Sequence, residues 1–229
     1  MAIQGYRFRK YFADPHPGNI LILKDNRIAF VDFGIASVPP SNRKPFYKIL
    51  KLINDKTENY DGKRIGTQML YLCSDKLAKA IKELDEVLDS KFSETILSRY
   101  GELIDQKKAT FQEIESENRE DFTAVFLNIL ESGVNFNVKV PNQLFNFIKS
   151  TSIFKSYSLF LEPNEHFSRE VYSKVLSEVN EAEFSDQDDN LSSVSNIEEA
   201  LDYVINWVSD IAEADMPFYF KVNSMLNNV

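Results

Sequence analysis

Near the start of the chain the apolar positions come in short, β-branched runs. Ile20 to Leu23 and Ile28 to Asp32 flank Lys24-Asp25-Asn26-Arg27, which has the composition of a turn, so the pattern predicts a small β-hairpin set between two loops. After Pro39-Pro40 the period changes. Ser41 is a candidate N-cap, and Phe46, Ile49, Leu50 and Ile53 recur at helical spacing. Helical periodicity returns over 77–88, 122–130, 143–161 and 171–179, with Gly133 and Pro141 as punctuation. These segments are expected to supply the main core.

The stretch Glu181 to Asn196 is acidic and Ser-rich, as in a linker or a solvated loop. Beyond it, Ile197 to Ala212 places Leu201, Val204, Ile205, Val208 and Ile211 on one helical face, and a short tail carries Phe218, Tyr219 and Phe220. That face needs something to pack on. The expected organisation is a main domain over 1–180, a linker over 181–196 and an amphipathic helical appendage over 197–229.

Composition sharpens the fold class. With 229 residues and 43% hydrophobic content the chain can bury one sizeable core. Its 18 Phe and 10 Tyr against 7 Gly and 8 Pro favour helices over a turn-rich β architecture. The expectation is a mostly α (α+β) protein with a small hairpin at one edge. A net charge of -9 argues against a broad nucleic-acid interface. The single cysteine, Cys73, cannot form an internal disulfide and reads as a small buried apolar residue, which suits a reducing, cytoplasmic setting. No apolar run is long enough to span a bilayer and no signal peptide is evident, so a soluble protein is expected, with peripheral membrane attachment left open.

The chemistry sits on the hairpin. Asp14 and Asn19 are separated by a Pro-His-Pro-Gly loop, and Asp32 follows the second strand with Phe33-Gly34 behind it. Folding the hairpin brings the two acids together. Phosphoryl transfer from a magnesium nucleotide uses such a set: one Asp orients the attacking group and accepts its proton, while an Asn oxygen and a second Asp hold the metal. Mg²⁺ prefers hard oxygen ligands and keeps waters and phosphates in its shell, so one or two side chains suffice. Pro15 and Pro17 should stiffen the loop, and Gly18 should supply a conformation other residues resist. His16 is better read as a hydrogen-bonding partner within the loop than as a metal ligand, because His166 is the only other histidine. Lys24, Arg27 and Arg43 read as solvated turn or helix-end residues.

Taken together, Ala13-Asp14-Pro15-His16-Pro17-Gly18-Asn19-Ile20-Leu21 and Val31-Asp32-Phe33-Gly34 resemble the catalytic and metal-binding loops of the UbiB/AarF (ADCK-type) atypical kinases. Val140 to Phe167 resembles the family's late helical segment. The resemblance covers roughly 5–170, and it implies a protein-kinase-like fold, ATP and Mg²⁺ as cofactors, and a link to isoprenoid-quinone (ubiquinone) biosynthesis and lipid homeostasis. By the same resemblance Asp14 is the catalytic acid, and Asn19 and Asp32 are the metal and nucleotide ligands.

Two departures qualify this. Phe12 stands where the family commonly has His or Gln, and the chain is expected to be a C-terminal lobe, without the lobe that supplies the phosphate-binding Lys. Completion by a missing upstream segment, a separate N-terminal-lobe chain or another protein partner is therefore the expectation, with an exposed apolar surface around Tyr6, Phe8 and Tyr11 that needs a partner. Two other readings stand beside this one. One is a non-catalytic, pseudokinase-like interaction module; the other is a small-molecule phosphotransferase of the aminoglycoside or choline kinase type.

Overall fold

The computed structural model describes residues 11–32, 36–37, 43–54, 60–88, 91–116, 122–161, 173–174, 176–178 and 196–227. Within them, two antiparallel ladders are nested. The outer one pairs β1 (Tyr11–Phe12) with β4 (Ala36–Ser37); the inner one pairs β2 (Ile20–Ile22) with β3 (Ile28–Phe30), Ile20 facing Phe30 and Ile22 facing Ile28. The predicted turn closes the inner ladder. Asn26 N–H donates to Leu23 O at 2.9 Å and Leu23 N–H to Arg27 O at 2.8 Å, with Asn26 at φ 60°. This is a tight turn ended by a left-handed residue, a conformation that Asn tolerates better than most side chains.

The rest is helical: α1 (Arg43–Asn54), α2 (Gly62–Cys73), α3 (Asp75–Asp85), α4 (Lys91–Asp105), α5 (Lys108–Ser116), α6 (Phe122–Asn135), α7 (Asn142–Leu161), α8 (Ile197–Ile211) and α9 (Met216–Leu226). The mostly α architecture with a small hairpin is thus the one the sequence leads us to expect. In α1 the stripe of Phe46, Ile49, Leu50 and Ile53 is buried, and the Phe46 ring stands edge-on to Phe147 at 5.0 Å and Phe126 at 5.9 Å. Such aromatic clustering adds directional attraction to the burial itself.

Glycines set the closest helix contacts. A Cβ on Gly62 would fall 2.4 Å from Gly101 O, so α2 and α4 touch backbone to backbone at this pair. Gly133 corrects the sequence reading. It lies inside α6 rather than ending a helix, and its missing Cβ makes room for the Tyr100 hydroxyl, which a methyl group would meet at 2.8 Å. Tyr100 is fully buried and stacks on Phe136 with ring centroids 4.7 Å apart, yet its hydroxyl has no hydrogen-bond partner. Burial pushes the Tyr100 phenol well up; the nearby Cys73, expected to be buried, is only partly so, yet desolvation pushes its thiol up to about 12.

The C-terminal helices join the same core. Helix α8 packs on α3, burying Ala200, Val204, Trp207, Val208 and Ile211, and Trp207 Nε1–H donates to Phe136 O at 3.3 Å. Ile205, expected on the buried face, is instead 39% exposed, because the stripe is centred on the turn that carries Trp207. Asp215 caps α9 by accepting from Phe218 N–H at 3.1 Å, and its other oxygen takes the Arg99 guanidinium at 2.6 Å. Cap and ion pair together tie α9 to α4. Around Leu176, residues 173–174 and 176–178 are helical, and Leu176 O accepts from the Tyr47 hydroxyl at 3.3 Å. Ser41, His166 and residues 181–195 of the acidic stretch lie outside the described residues.

Candidate active site on the hairpin edge

The nested ladders explain how three polar residues distant in sequence share one end of the hairpin. Asp14 follows β1, Asn19 immediately precedes β2, and Asp32 lies between β3 and β4, so all three occupy the gap where the outer ladder gives way to the inner one. One further bond extends the inner ladder toward this gap: Val31 N–H donates to Asn19 O at 2.9 Å. Asn19 and Val31 are therefore directly opposed, with Asp32 one residue beyond.

Asn19 also reaches Asp14. Its Nδ2 lies 3.4 Å from both the Asp14 carboxylate Oδ2 and the Asp14 carbonyl oxygen. With its amide nitrogen turned to Asp14, the Asn19 oxygen is left to serve as an acceptor or ligand. Asp32 is exposed and adopts φ 62°, a left-handed conformation that is uncommon for a residue with a side chain. Conformations of this kind cost of order 1–3 kcal/mol and persist where the surrounding structure enforces them. Phe33 and Gly34 lie outside the described residues.

The loop between Asp14 and Asn19 is built differently from the sequence expectation. Pro17 starts a short 3₁₀ turn (Pro17–Asn19), and His16 Nδ1 accepts from Gly18 N–H at 3.1 Å, as expected of a histidine that ties its own loop together. Gly18 does not use its conformational freedom, since no described glycine has positive φ; a Cβ there would instead crowd His16 Nδ1 at 3.2 Å. Arg27 pairs with Asp25 in the exposed turn at 2.6 Å, and Arg43 is buried at the start of α1 rather than solvated.

Helix α7 supports the loop from beneath. The Ser150 hydroxyl is buried and shares its one proton between Ala13 O at 2.6 Å and Asn146 O at 2.7 Å, fixing the backbone just before Asp14. Tyr11 is 2% exposed, edge-on to Phe147 at 5.7 Å, and its hydroxyl reaches Gln143 O at 3.4 Å. This overturns the expectation that Tyr11 belongs to an exposed apolar surface; Tyr6 and Phe8 lie outside the described residues. The His16 ring stands 6.3 Å from that of Tyr157. Ser150 is a support of this loop that the sequence reading missed, and its signal was a small polar side chain three positions after the buried Phe147.

Comparison with known proteins meets this geometry at the same residues. Residues 1–65 match the ABC1 atypical kinase-like domain, a span that holds Asp14, Asn19 and Asp32. Both matches support a likeness to the UbiB/AarF atypical kinases, the family that the two loops resemble. An aarF domain-containing protein kinase of Arabidopsis thaliana, described as chloroplastic, is 23% identical over 170 residues, which is 67% of this chain and 29% of that protein. The chain thus spans under a third of the length of that relative. No solved structure matches it. Among the described residues, no helix is long and apolar enough to cross a membrane.

Proposed function

We propose that the hairpin edge binds the phosphates of ATP with Mg²⁺ and positions an acceptor for phosphoryl transfer or hydrolysis, in a role tied to isoprenoid-quinone or lipid metabolism. What supports this reading most is the contact of the Asn19 amide with the Asp14 carboxylate at 3.4 Å at the end of the nested ladders where Asp32 follows β3, at φ 62°. The donor set fits the metal: the Asp32 carboxylate and the Asn19 amide oxygen are hard ligands of the kind Mg²⁺ prefers. Bound there, Mg²⁺ would offset the negative charge of the phosphates.

The chain's own residues have distinct roles in this reading. Asn19 and Asp32 hold the metal, while Asp14, steadied by the Asn19 amide and by Ser150 behind Ala13, orients the acceptor and takes its proton. The test is a split between two variants. Asp32→Asn should lose MgATP binding, whereas Asp14→Asn should keep binding and lose phosphate release by roughly 10²-fold or more. Equal binding and equal turnover in all three proteins would reject the assignment.

A second reading has its own support. Phe12 is 4% exposed and packs on Phe30 with ring centroids 5.1 Å apart, placing an apolar pair where the family commonly carries a polar side chain. That favours a non-catalytic interaction module, in which the folded chain would bind no MgATP and would act through a protein partner such as a separate N-terminal lobe.

A further inference from the structure

The groove between α1 and α2 runs against the charge of the rest of the molecule. The chain carries 35 acidic and 26 basic residues, yet α1 contains Arg43, Lys44, Lys48 and Lys51 with no Asp or Glu. Lys44 and Lys48 are four apart and Lys48 and Lys51 three apart, spacings that set their charges on neighbouring turns of the helix. Across from them, α2 contributes Arg64 and Gln68. Lys48, Lys51, Arg64 and Gln68 line a cavity of about 360 Å³ whose lining, among the described residues, holds no carboxylate. Among the described residues neither Lys51 nor the Arg64 guanidinium has a carboxylate partner.

We propose that this groove is a binding site for a phosphate-bearing ligand, separate from the hairpin edge. Its volume is at the small end of the usual range for small-molecule sites. Arg64 offers a planar fork suited to two phosphate oxygens, and Lys48 and Lys51 add compact charges from the opposite wall. Gln68 adds a neutral donor. Thr67 and Tyr47 have other duties, since the Thr67 hydroxyl donates to Lys63 O at 2.7 Å and the Tyr47 hydroxyl to Leu176 O, so they shape the wall rather than grip the anion. A bound anion would meet the charges of Lys51 and Arg64, which have no carboxylate partner among the described residues.

The test is calorimetric titration of the full chain with inorganic pyrophosphate in EDTA, which removes the metal the hairpin site requires. It is paired with sedimentation on phosphatidylcholine vesicles with and without phosphatidic acid. Saturable pyrophosphate binding that weakens about tenfold in Lys51→Gln and in Arg64→Gln, and persists in Asp32→Asn, supports the site and a soluble ligand. Vesicle binding that needs phosphatidic acid and weakens in the same two variants supports the site with a lipid headgroup as its source. Lys51→Arg, which keeps the charge, should retain most of the affinity. Binding of neither probe, binding unchanged in both variants with wild-type circular dichroism, or binding lost in Asp32→Asn would each overturn the proposal.

Discussion

In the helical body Phe46, Phe92, Phe126 and Phe136 are each no more than 1% exposed, whereas on the hairpin Ile22 and Ile28 are 79% and 62% exposed. The body is held by apolar burial, backbone-close glycine contacts and interlocked rings. The hairpin that bears Asp14, Asn19 and Asp32 is held by short ladders, a left-handed turn residue and a few contacts to α7. The difference teaches where the site's shape comes from. A two-strand ladder alone is marginal in water, so the positions of its polar residues depend on the anchoring of Tyr11 and Ala13 to α7.

The largest effect should come from breaking the body at its aromatic centre. Phe46→Ala removes a ring that touches both Phe126 and Phe147, and a loss of about 3–5 kcal/mol is expected in chemical denaturation. A loss below 1 kcal/mol would mean that α1 is not part of the cooperative core.

The pH dependence of the body comes next. The Cys73 thiol, ordinarily titrating near 9.0, is pushed up to about 12 by burial. Its folded value lies above its unfolded one, so its contribution to stability is complete below pH 9 and is lost as pH rises toward 12. Denaturation midpoints should fall over that alkaline window, less steeply in Cys73→Ala. The Tyr100 phenol, also raised, acts in the same direction and keeps some slope in the variant. An identical slope with and without the thiol would contradict the desolvation of Cys73.

Ser150→Ala sharpens the comparison, because it cuts a link between body and hairpin. About 1–2 kcal/mol of stability should be lost, and the loop at Ala13 should exchange amide protons faster while the core of α4 stays protected. Uniform exchange across both regions would show that the two do not separate as described. The smallest effect reverses sign. Tyr100→Phe removes a buried hydroxyl without a partner and should be neutral or stabilise by up to about 1 kcal/mol. A clear loss of stability would reveal a bond the hydroxyl makes.

Much of this was legible in the sequence where chemistry is local. The hairpin, its turn and helix α1 follow from alternating runs, turn residues and a helical stripe, and the polar trio stands out because its spacing spans that hairpin. The helix–helix contacts were not legible. Gly62, Gly101 and Gly133 mark close approach between elements, and a lone sequence shows such glycines only as breaks or as inert positions. Ser150 escaped for the same reason, since its partner, Ala13, lies 137 residues away. Burial of Tyr11 likewise depends on α7, which no pattern near the N-terminus announces.

The most direct test of the central account is calorimetric titration of the folded chain with MgATP, alongside Asp32→Asn. The account predicts metal-dependent binding to the wild type that Asp32→Asn abolishes without altering the circular dichroism spectrum. Binding retained in full by Asp32→Asn, or absent from a wild-type chain shown to be folded, would contradict it.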